Sequence, residues 1–250
     1  MKLTGNTVFI TGGGSGIGRG LAEALHKLGN KVIISGRRKG HLAATIKANS
    51  GMQSVELDVA HPASIAAVAK KLIADYPELN VLINNAGIMQ IDDAAGVVDE
   101  AVLVSTVMTN LLGPIRMTSA LIDHLKKQTT ATVINISSGL AFTPLAMTAV
   151  YCATKAALHS YTLSQRYQLK GSSVKVLELA PPWVQTDLLG GKSNPRAMPL
   201  QEFIDETMTV LATNATEILV EGVKLLRNNV GPDEGAFLTQ FNDRLAQSPH

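Results

Sequence analysis

The 250-residue chain is poor in cysteine, in blocks of like charge and in long apolar runs, and each of these shortages excludes a class of structure or binding partner. Its single cysteine, Cys152, excludes an intramolecular disulfide, which is typical of a reducing compartment. The 22 basic and 20 acidic residues are scattered, without the block of like charge that favours binding to nucleic acid or an anionic membrane. No apolar run approaches the roughly 18 residues of a membrane span. We therefore expect a cytoplasmic protein with neither of these partners.

Metal-ligand patterns and a signal peptide are also missing. The histidines show no metal-ligand spacing, so structural or solvated roles are expected for His26, His41, His61, His124, His159 and His250. The first residues lack the apolar stretch and the small-residue cleavage site of a signal peptide. We expect no metal site.

What the chain does have is an even alternation of short apolar runs and helical patterns. Strands are predicted at Asn6–Thr11, Lys31–Ser35, Val55–Val59, Val81–Asn84, Thr132–Ser137 and Val174–Leu179. Helices are predicted before Gly29, at Leu42–Ala48, from Pro62, at Asp99–Lys126 with a disturbance at Gly113-Pro114, and at Ala149–Leu169. This order predicts one α/β domain over residues 1–250: a doubly wound, Rossmann-type parallel sheet inside a three-layer α/β/α arrangement.

The pattern weakens after Pro181. Residues Gln185–Pro199 carry two glycines, an asparagine and a proline, which predicts a mobile loop, and we expect a substrate loop over about residues 185–205. Near the end of the chain, Gly235–Leu238 is a weak candidate for a last strand. Ligands of doubly wound sheets bind beyond the carboxyl ends of the strands, where the polar motifs of this chain lie.

A glycine-rich turn joins the first strand to the first helix. Gly12, Gly16 and Gly18 are spaced GxxxGxG, and the stricter GxGxxG pattern fails in every register. Glycines permit positive φ and close backbone approach, and a helix amino terminus offers free N–H groups to phosphates. We favour a dinucleotide pyrophosphate site over a merely tight turn.

The end of the second strand indicates which dinucleotide binds. A site for NAD usually has a carboxylate about 20 residues past the glycines, where this chain reads Ser35-Gly36-Arg37-Arg38-Lys39. Arg37 and Arg38 can bind a ribose 2′-phosphate through charge-assisted hydrogen bonds. Cations at a helix start oppose the helix dipole, which favours a ligand role over ordinary solvated charges. The predicted cofactor is NADP(H).

Tyr151 and Lys155 lie four residues apart on one face of a predicted helix. Because a nearby ammonium lowers the pKa of a phenol, Tyr151 is a candidate proton donor or acceptor for a substrate oxygen. Hydride transfer would then be the chemistry of the nicotinamide. A lone YxxxK pattern is often ordinary helix surface, but this one follows the fifth strand.

Taken together, the motifs resemble the short-chain dehydrogenase/reductase family over nearly the whole chain to about Thr186. They occur in the family's order and are TGGGSGIG at 11–18, LDV at 57–59, NNAG at 84–87, Asn110, ISS at 136–138 and YCATK at 151–155.

The resemblance implies roles for individual positions. The implied catalytic residues are Asn110, Ser138, Tyr151 and Lys155, with Ser137 as a competing choice whose spacing is off by one. Ser138 would hold the substrate carbonyl, Asn110 would anchor a water beside the lysine, and Asp58 would accept a hydrogen bond from the adenine amino group. The implied cofactor contacts are Gly12, Ser15, Gly16, Ile17, Gly18, Arg37, Arg38, Asp58, Val59, Asn85, Ala86, Gly87, Tyr151, Lys155, Val184 and Thr186.

Two segments depart from the family pattern. The family's PGxVxT segment corresponds to Pro181–Thr186, which reads PPWVQT. Pro182 stands where the family has a flexible glycine, and proline fixes φ and removes a hydrogen-bond donor. The weak last strand puts the common tetrameric interface in doubt, and at least a homodimer is expected, with a homotetramer as the alternative. The segment and this ending resemble a bacterial subgroup named for a D-alanyl-lipoteichoic-acid operon.

The resulting hypothesis is an NADP(H)-dependent carbonyl reductase that acts on a small or medium ketone or aldehyde. A 3-oxoacyl thioester reductase is the alternative within this chemistry, followed by a non-catalytic dinucleotide-sensing protein and a scaffold for interactions. Six apolar residues could equally line an apolar substrate pocket or pack in the core. They are Met89, Phe142, Leu145, Met147, Trp183 and Met198.

Overall fold

The computed structural model describes residues 1–229 and 231–246, and its centre is one parallel sheet of seven strands in the order β3-β2-β1-β4-β5-β6-β7. The strands are β1 (Thr7–Thr11), β2 (Lys31–Gly36), β3 (Gln53–Glu56), β4 (Leu79–Asn84), β5 (Ala131–Ile136), β6 (Val174–Leu179) and β7 (Glu217–Ile218). β1, β4 and β5 are almost wholly buried because helices cover both faces of the sheet. The strand order reverses between β1 and β4, which opens a crevice at their carboxyl ends.

Helices form a layer on each face. They are α1 (Gly16–Lys27), α2 (Lys39–Ala48), α3 (Pro62–Asp75), α4 (Glu100–Val107), α5 (Gly113–Lys126), α6 (Ala149–Gln168), α7 (Leu200–Leu211), α8 (Glu221–Arg227) and α9 (Glu234–Ala246). One core cluster contains apolar side chains of α1, α7 and α8, and the other contains those of α3 and α5. The doubly wound three-layer prediction is confirmed.

The boundaries of the predicted elements need small corrections. β3 ends at Glu56, so Asp58 lies just beyond the strand, although Leu57 N still donates to Gly36 O at 3.1 Å. The long helix predicted at Asp99–Lys126 is interrupted by a π-helical turn at Met108–Leu112, and α5 restarts at Gly113-Pro114. Proline at the second position of α5 needs no helical donor, which explains the restart there.

The end of the chain differs more from the prediction. The last strand is β7, which pairs with Glu178 and Leu179 of β6. Gly235–Leu238 lies inside α9, so its assignment as a strand is wrong. Its residues follow a helical spacing, with Phe237 and Phe241 stacked 6.5 Å apart.

No helix within the described part of the chain is long and apolar enough to cross a membrane. Among the same residues, no group of three or more His, Cys, Asp or Glu side chains is placed to hold a metal ion.

Candidate active site

A cavity of about 1850 Å³ lies at the carboxyl ends of the strands and runs from the glycine turn to α9. It gathers residues that are far apart in the sequence. All the predicted cofactor contacts line it, as do three of the four predicted catalytic residues.

The glycine turn is shaped for close backbone approach. Gly12 and Gly16 have φ of +69° and +53°, in the left-handed region that favours glycine. A Cβ on Gly12 would lie 2.9 Å from Ala86 Cα, and a Cβ on Gly18 would lie 2.5 Å from Gly12 O and collide with Asn85 Nδ2. α1 begins at Gly16 without a side-chain cap, so its first N–H groups are available to a phosphate. These features fit a dinucleotide.

The two arginines of the predicted 2′-phosphate site lie at the rim of the cavity. Arg38 Nη2 donates to Ser15 Oγ at 2.8 Å, which brings the guanidinium to the glycine turn. Both arginines are exposed and line the cavity. The third cation of the run, Lys39, lies 3.0 Å from Glu56 Oε2 in an exposed ion pair. Arg37 and Arg38 are therefore the cations placed to meet an anion.

The other predicted cofactor contacts line the same groove. Asp58 accepts a hydrogen bond from Ala60 N at 2.9 Å, which fixes its carboxylate just beyond β3. Asn85 Nδ2 donates to Thr11 O at 2.9 Å and so joins the end of β4 to the end of β1. Thr186 packs against the glycine turn, because a Cβ on Gly16 would lie 3.3 Å from its Cγ2.

Tyr151 lies in the first turn of α6, and its phenol and Ser138 line the same cavity. Burial raises the pKa of Tyr151 to about 12, and the neighbouring Ser138 hydroxyl offsets only part of the effect. Lys155 does not contribute to this shift, so the lowering of the Tyr151 pKa that the sequence led us to expect is not found. Ser138, rather than Ser137, is the serine that affects the pKa of the phenol, and Ser137 Oγ is buried with no hydrogen-bond partner among the described residues.

Lys155 is buried one helical turn after Tyr151. Its Nζ donates to Ile136 O at 2.7 Å and lies 5.6 Å from the centre of the Tyr151 ring. Burial lowers the pKa of Lys155 to about 8, against a smaller opposite effect of Glu178. An ammonium so placed can stabilise negative charge on a phenol or on a neighbouring hydroxyl.

Asn110 lies in the π-helical turn and behind the cavity wall. It is fully buried, accepts from Ile88 N at 2.9 Å and donates to Ile88 O at 2.8 Å. A Cβ on Gly87 would lie 3.4 Å from its Oδ1 and 3.7 Å from Lys155 Nζ, so the two side chains converge on Gly87. This position suits a residue that orders the cavity wall beside the lysine.

Asp92 was not predicted from the sequence. Its carboxylate accepts from Ala149 N at 3.0 Å and from Val150 N at 2.9 Å, which caps α6 immediately before Tyr151. The 57-residue separation explains why no local pattern indicated it.

The far end of the cavity is apolar. Of the six pocket candidates, Phe142 does not line the cavity and instead packs its ring 4.9 Å from the His159 ring. The others line the cavity together with residues of α8 and α9 that sequence reasoning missed: Leu225, Leu226, Phe237, Phe241 and Leu245. The spacing of the last three, four residues apart, could have indicated an amphipathic helix.

The predicted loop after Thr186 is partly ordered by backbone pairing. Val184 and Met198 form a bridge, and Met198 N donates to Trp183 O at 2.9 Å. Residues Leu188–Ser193 form 3₁₀ turns with a kink at Leu189 (φ 48°), and α7 begins at Leu200. The region about 185–205 is therefore a paired loop followed by a helix.

A doubly wound sheet with a glycine turn at the carboxyl ends of its strands is the architecture of a nucleotide-binding α/β protein. The short chain dehydrogenase family model matches residues 6–197. The chain belongs to this family and is an oxidoreductase.

Individual relatives agree with this assignment. The "Uncharacterized oxidoreductase DltE" of Bacillus subtilis is 40% identical over 97% of this chain and 98% of its own length. A short chain dehydrogenase from Burkholderia cenocepacia in complex with NADP shares 25% identity, with a TM-score of 0.85 over 100% of both chains. A 3-ketoacyl-(acyl-carrier-protein) reductase from Brucella melitensis complexed with NADH shares 27%, with a TM-score of 0.78 over 85% of this chain and 93% of that one.

Proposed function

We propose that this protein is an NADP(H)-dependent carbonyl reductase that converts a ketone or aldehyde to an alcohol. The observation that carries the proposal is that Ser138, Tyr151 and Lys155 meet in one cavity with the glycine turn. The arginines at the end of β2 support NADP(H), as does the NADP complex of the Burkholderia relative.

The residues have distinct roles in this proposal. Ser138 and Tyr151 hold the carbonyl oxygen of the substrate, and Tyr151 donates the proton that the oxygen gains on reduction. Lys155 stabilises the phenolate left behind, because its ammonium lies on the same helical face. The bound nicotinamide supplies the hydride. Asn110 orders the cavity wall beside Lys155, and Asp92 holds the first turn of α6.

The substrate we propose is neutral and partly apolar. Aliphatic and aromatic side chains of five segments line the cavity beyond Tyr151. The charged residues that line it outside the dinucleotide groove are four acids and two arginines: Asp187, Arg196, Glu202, Glu206, Glu221 and Arg244. Asp187 and Glu221 are paired with Lys192 and Lys224, so the preference for simple ketones and aldehydes rests on the apolar lining and not on charge. The 3-oxoacyl thioester stays the second candidate, since the Brucella relative is a 3-ketoacyl reductase.

The decisive experiment measures NADPH and NADH oxidation with a panel of ketones, aldehydes and 3-oxoacyl thioesters. We expect faster oxidation with NADPH and a ketone or aldehyde, and a loss of at least about 100-fold in kcat for Tyr151→Phe, the scale of one acid–base group. Tyr161→Phe on the same helix is the matched control. NADPH binding without turnover of any panel member would instead favour the dinucleotide-sensing protein.

The assembly and location are part of the same proposal. α4 and α6 expose apolar side chains, with Leu103 and Val104 36% and 46% accessible, and this face suits pairing of the long helices between subunits. We propose a homodimer or homotetramer, measurable by light scattering. The single buried thiol, Cys152, suits the cytoplasm.

A further inference from the structure

A buried carboxylate lies behind the catalytic lysine, and the chemistry described so far does not use it. Glu178 lies in β6 and is 1% exposed. Its Oε2 is 2.7 Å from Nδ1 of His159, whereas Oε1 has no hydrogen-bond partner among the described residues. A buried charge with one satisfied oxygen is unfavourable unless it interacts with a cation.

The sheet places this carboxylate next to the lysine. Glu178 is the register partner of Asn135, and the next residue, Ile136, accepts the hydrogen bond from Lys155 Nζ. The Asn135 side chain points toward α6, where it donates to Thr162 Oγ1 at 3.0 Å. Register partners in a parallel sheet share a face, so Glu178 also lies beneath α6.

Three side chains of α6 are aligned toward this face of the sheet. Tyr151, Lys155 and His159 follow one another at intervals of four residues, which aligns them on one side of α6. His159 holds one end of the Glu178 carboxylate, and Lys155 is one turn nearer to the cavity.

Other charged groups around Glu178 have partners of their own. Glu217 of β7, its other register partner, is bound by Arg227 of α8 at 2.9 and 3.2 Å. Arg166 of α6 donates to the backbone oxygens of Val176 and Thr216. The cations that interact with Glu178 among the described residues are thus Lys155 of α6 and Arg227 of α8, and Arg227 is also bound by Glu217. The charge of Glu178 raises the pKa of Lys155 and so opposes the larger effect of burial.

We propose that Glu178 is a positioning residue of the active site whose buried carboxylate stabilises the ammonium form of Lys155. The inference rests on the proposed function only because that function assigns Lys155 its role beside Tyr151. The charge state of Lys155 can be measured without a substrate, so the two ideas fail independently.

The test is a pH titration of Lys155 in protein labelled with ¹³C at lysine Cε, with the resonance assigned through Lys155→Arg. We expect Glu178→Gln to lower the titration midpoint of Lys155 by roughly 1 pH unit, because an opposite charge is lost while the shape is kept. Glu217→Gln is the matched control, since it removes a neighbouring carboxylate that is bound to Arg227. It should leave the midpoint in place.

A second variant separates charge from structural disturbance. His159→Gln keeps the Glu178 carboxylate, so the Lys155 midpoint should stay or rise. His159 is partly exposed, which makes this variant tolerable to the fold if Glu178→Gln does not fold. Equal midpoints in Glu178→Gln and wild type, or a fall of the same size in His159→Gln, would overturn the proposal.

An activity profile is the second readout. Where turnover depends on cationic Lys155, the alkaline limb of kcat/KM should move to lower pH in Glu178→Gln by the same amount as the midpoint. A uniform loss of activity at every pH, with an unmoved limb, would mark Glu178 as merely structural.

Discussion

At the residue scale, the proposed preference for NADPH over NADH rests on Arg37 and Arg38. Both are exposed at the cavity rim, and Arg38 already bonds Ser15 of the glycine turn. We predict that Arg37→Asp and Arg38→Asp each weaken NADPH binding by roughly 10- to 100-fold, the range of a charged hydrogen bond of about 1.5–3 kcal/mol. Calorimetric titration with NADPH measures the change.

NADH binding is the internal control, because it lacks the 2′-phosphate and should change much less. Lys39→Asp is the matched variant, since Lys39 pairs with Glu56 and should contribute little. Unchanged NADPH affinity in Arg37→Asp would contradict the assigned phosphate site for that residue.

The lowered pKa of Lys155 predicts how the free energy of unfolding changes with pH. Its pKa falls from 10.5 to about 8 on folding, so the folded state holds the proton less well than the unfolded state. The ammonium therefore destabilises the fold below about pH 8, and this penalty disappears as pH rises toward 10.5. Lys155→Met should raise the free energy of unfolding at pH 7 by roughly 2 kcal/mol, allowing for the lost bond to Ile136.

Urea unfolding at a series of pH values measures this effect. The stability gain of Lys155→Met should shrink between pH 8 and 10.5. A gain that stays constant over this range would show that packing, and not charge, explains it. Tyr151 ionises near its ordinary pKa of 10.0 only in the unfolded state, and this effect is common to both proteins and cancels in the difference between them.

At the element scale, the glycine turn is the part that is most sensitive to side-chain volume. A Cβ on Gly18 would meet Gly12 O at 2.5 Å and collide with Asn85, so Gly18→Ala must displace the turn or the end of β4. We expect NADPH affinity to fall at least about tenfold and the free energy of unfolding to drop by about 1–3 kcal/mol, the usual range for overpacking. Calorimetry and urea unfolding report the two effects.

Gly40→Ala is the matched control for this change. A Cβ on Gly40 would have no atom within 4 Å, and Gly40 lies within α2. Alanine is the better helix former by roughly 0.5–1 kcal/mol, so this variant should bind NADPH normally and gain slightly in stability. Equal behaviour of the two variants would contradict the steric argument.

The elements also show what the sequence could predict. β1, the glycine turn and α1 follow from a local pattern, and so does the Tyr151–Lys155 pair on α6. The Asp92 cap and the Glu178–His159 contact join residues that are 57 and 19 positions apart, so neither carries a local signal. β7 has two residues, which is too short for a pattern of alternation. The raised pKa of Tyr151 comes from burial, which the spacing of charges does not reveal.

At the scale of the whole molecule, α9 packs against the segment that precedes α6 and lines the candidate active site. Asn242 Oδ1 accepts from Ala146 N at 2.6 Å, and its Nδ2 donates to Pro144 O at 3.1 Å. These bonds tie α9 to the segment between Ser138 and Tyr151. Phe237 and Phe241 of α9 line the cavity at this end. The helix is thereby held as an apolar wall for the substrate we propose.

We predict that Asn242→Ala loosens this wall while leaving the acid–base centre intact. With a bulky apolar ketone KM should rise, by up to about tenfold for a loss of roughly 1 kcal/mol in hydrogen bonding, because remote contacts of the substrate are weakened. With a small ketone that does not reach α9, and for NADPH affinity, little should change. Asp243→Ala, an exposed neighbour on the same helix, is the matched control in steady-state kinetics. If Asn242→Ala instead lowered kcat equally for both ketones, α9 would be supporting the Ser138–Tyr151 segment itself rather than forming a wall for the substrate.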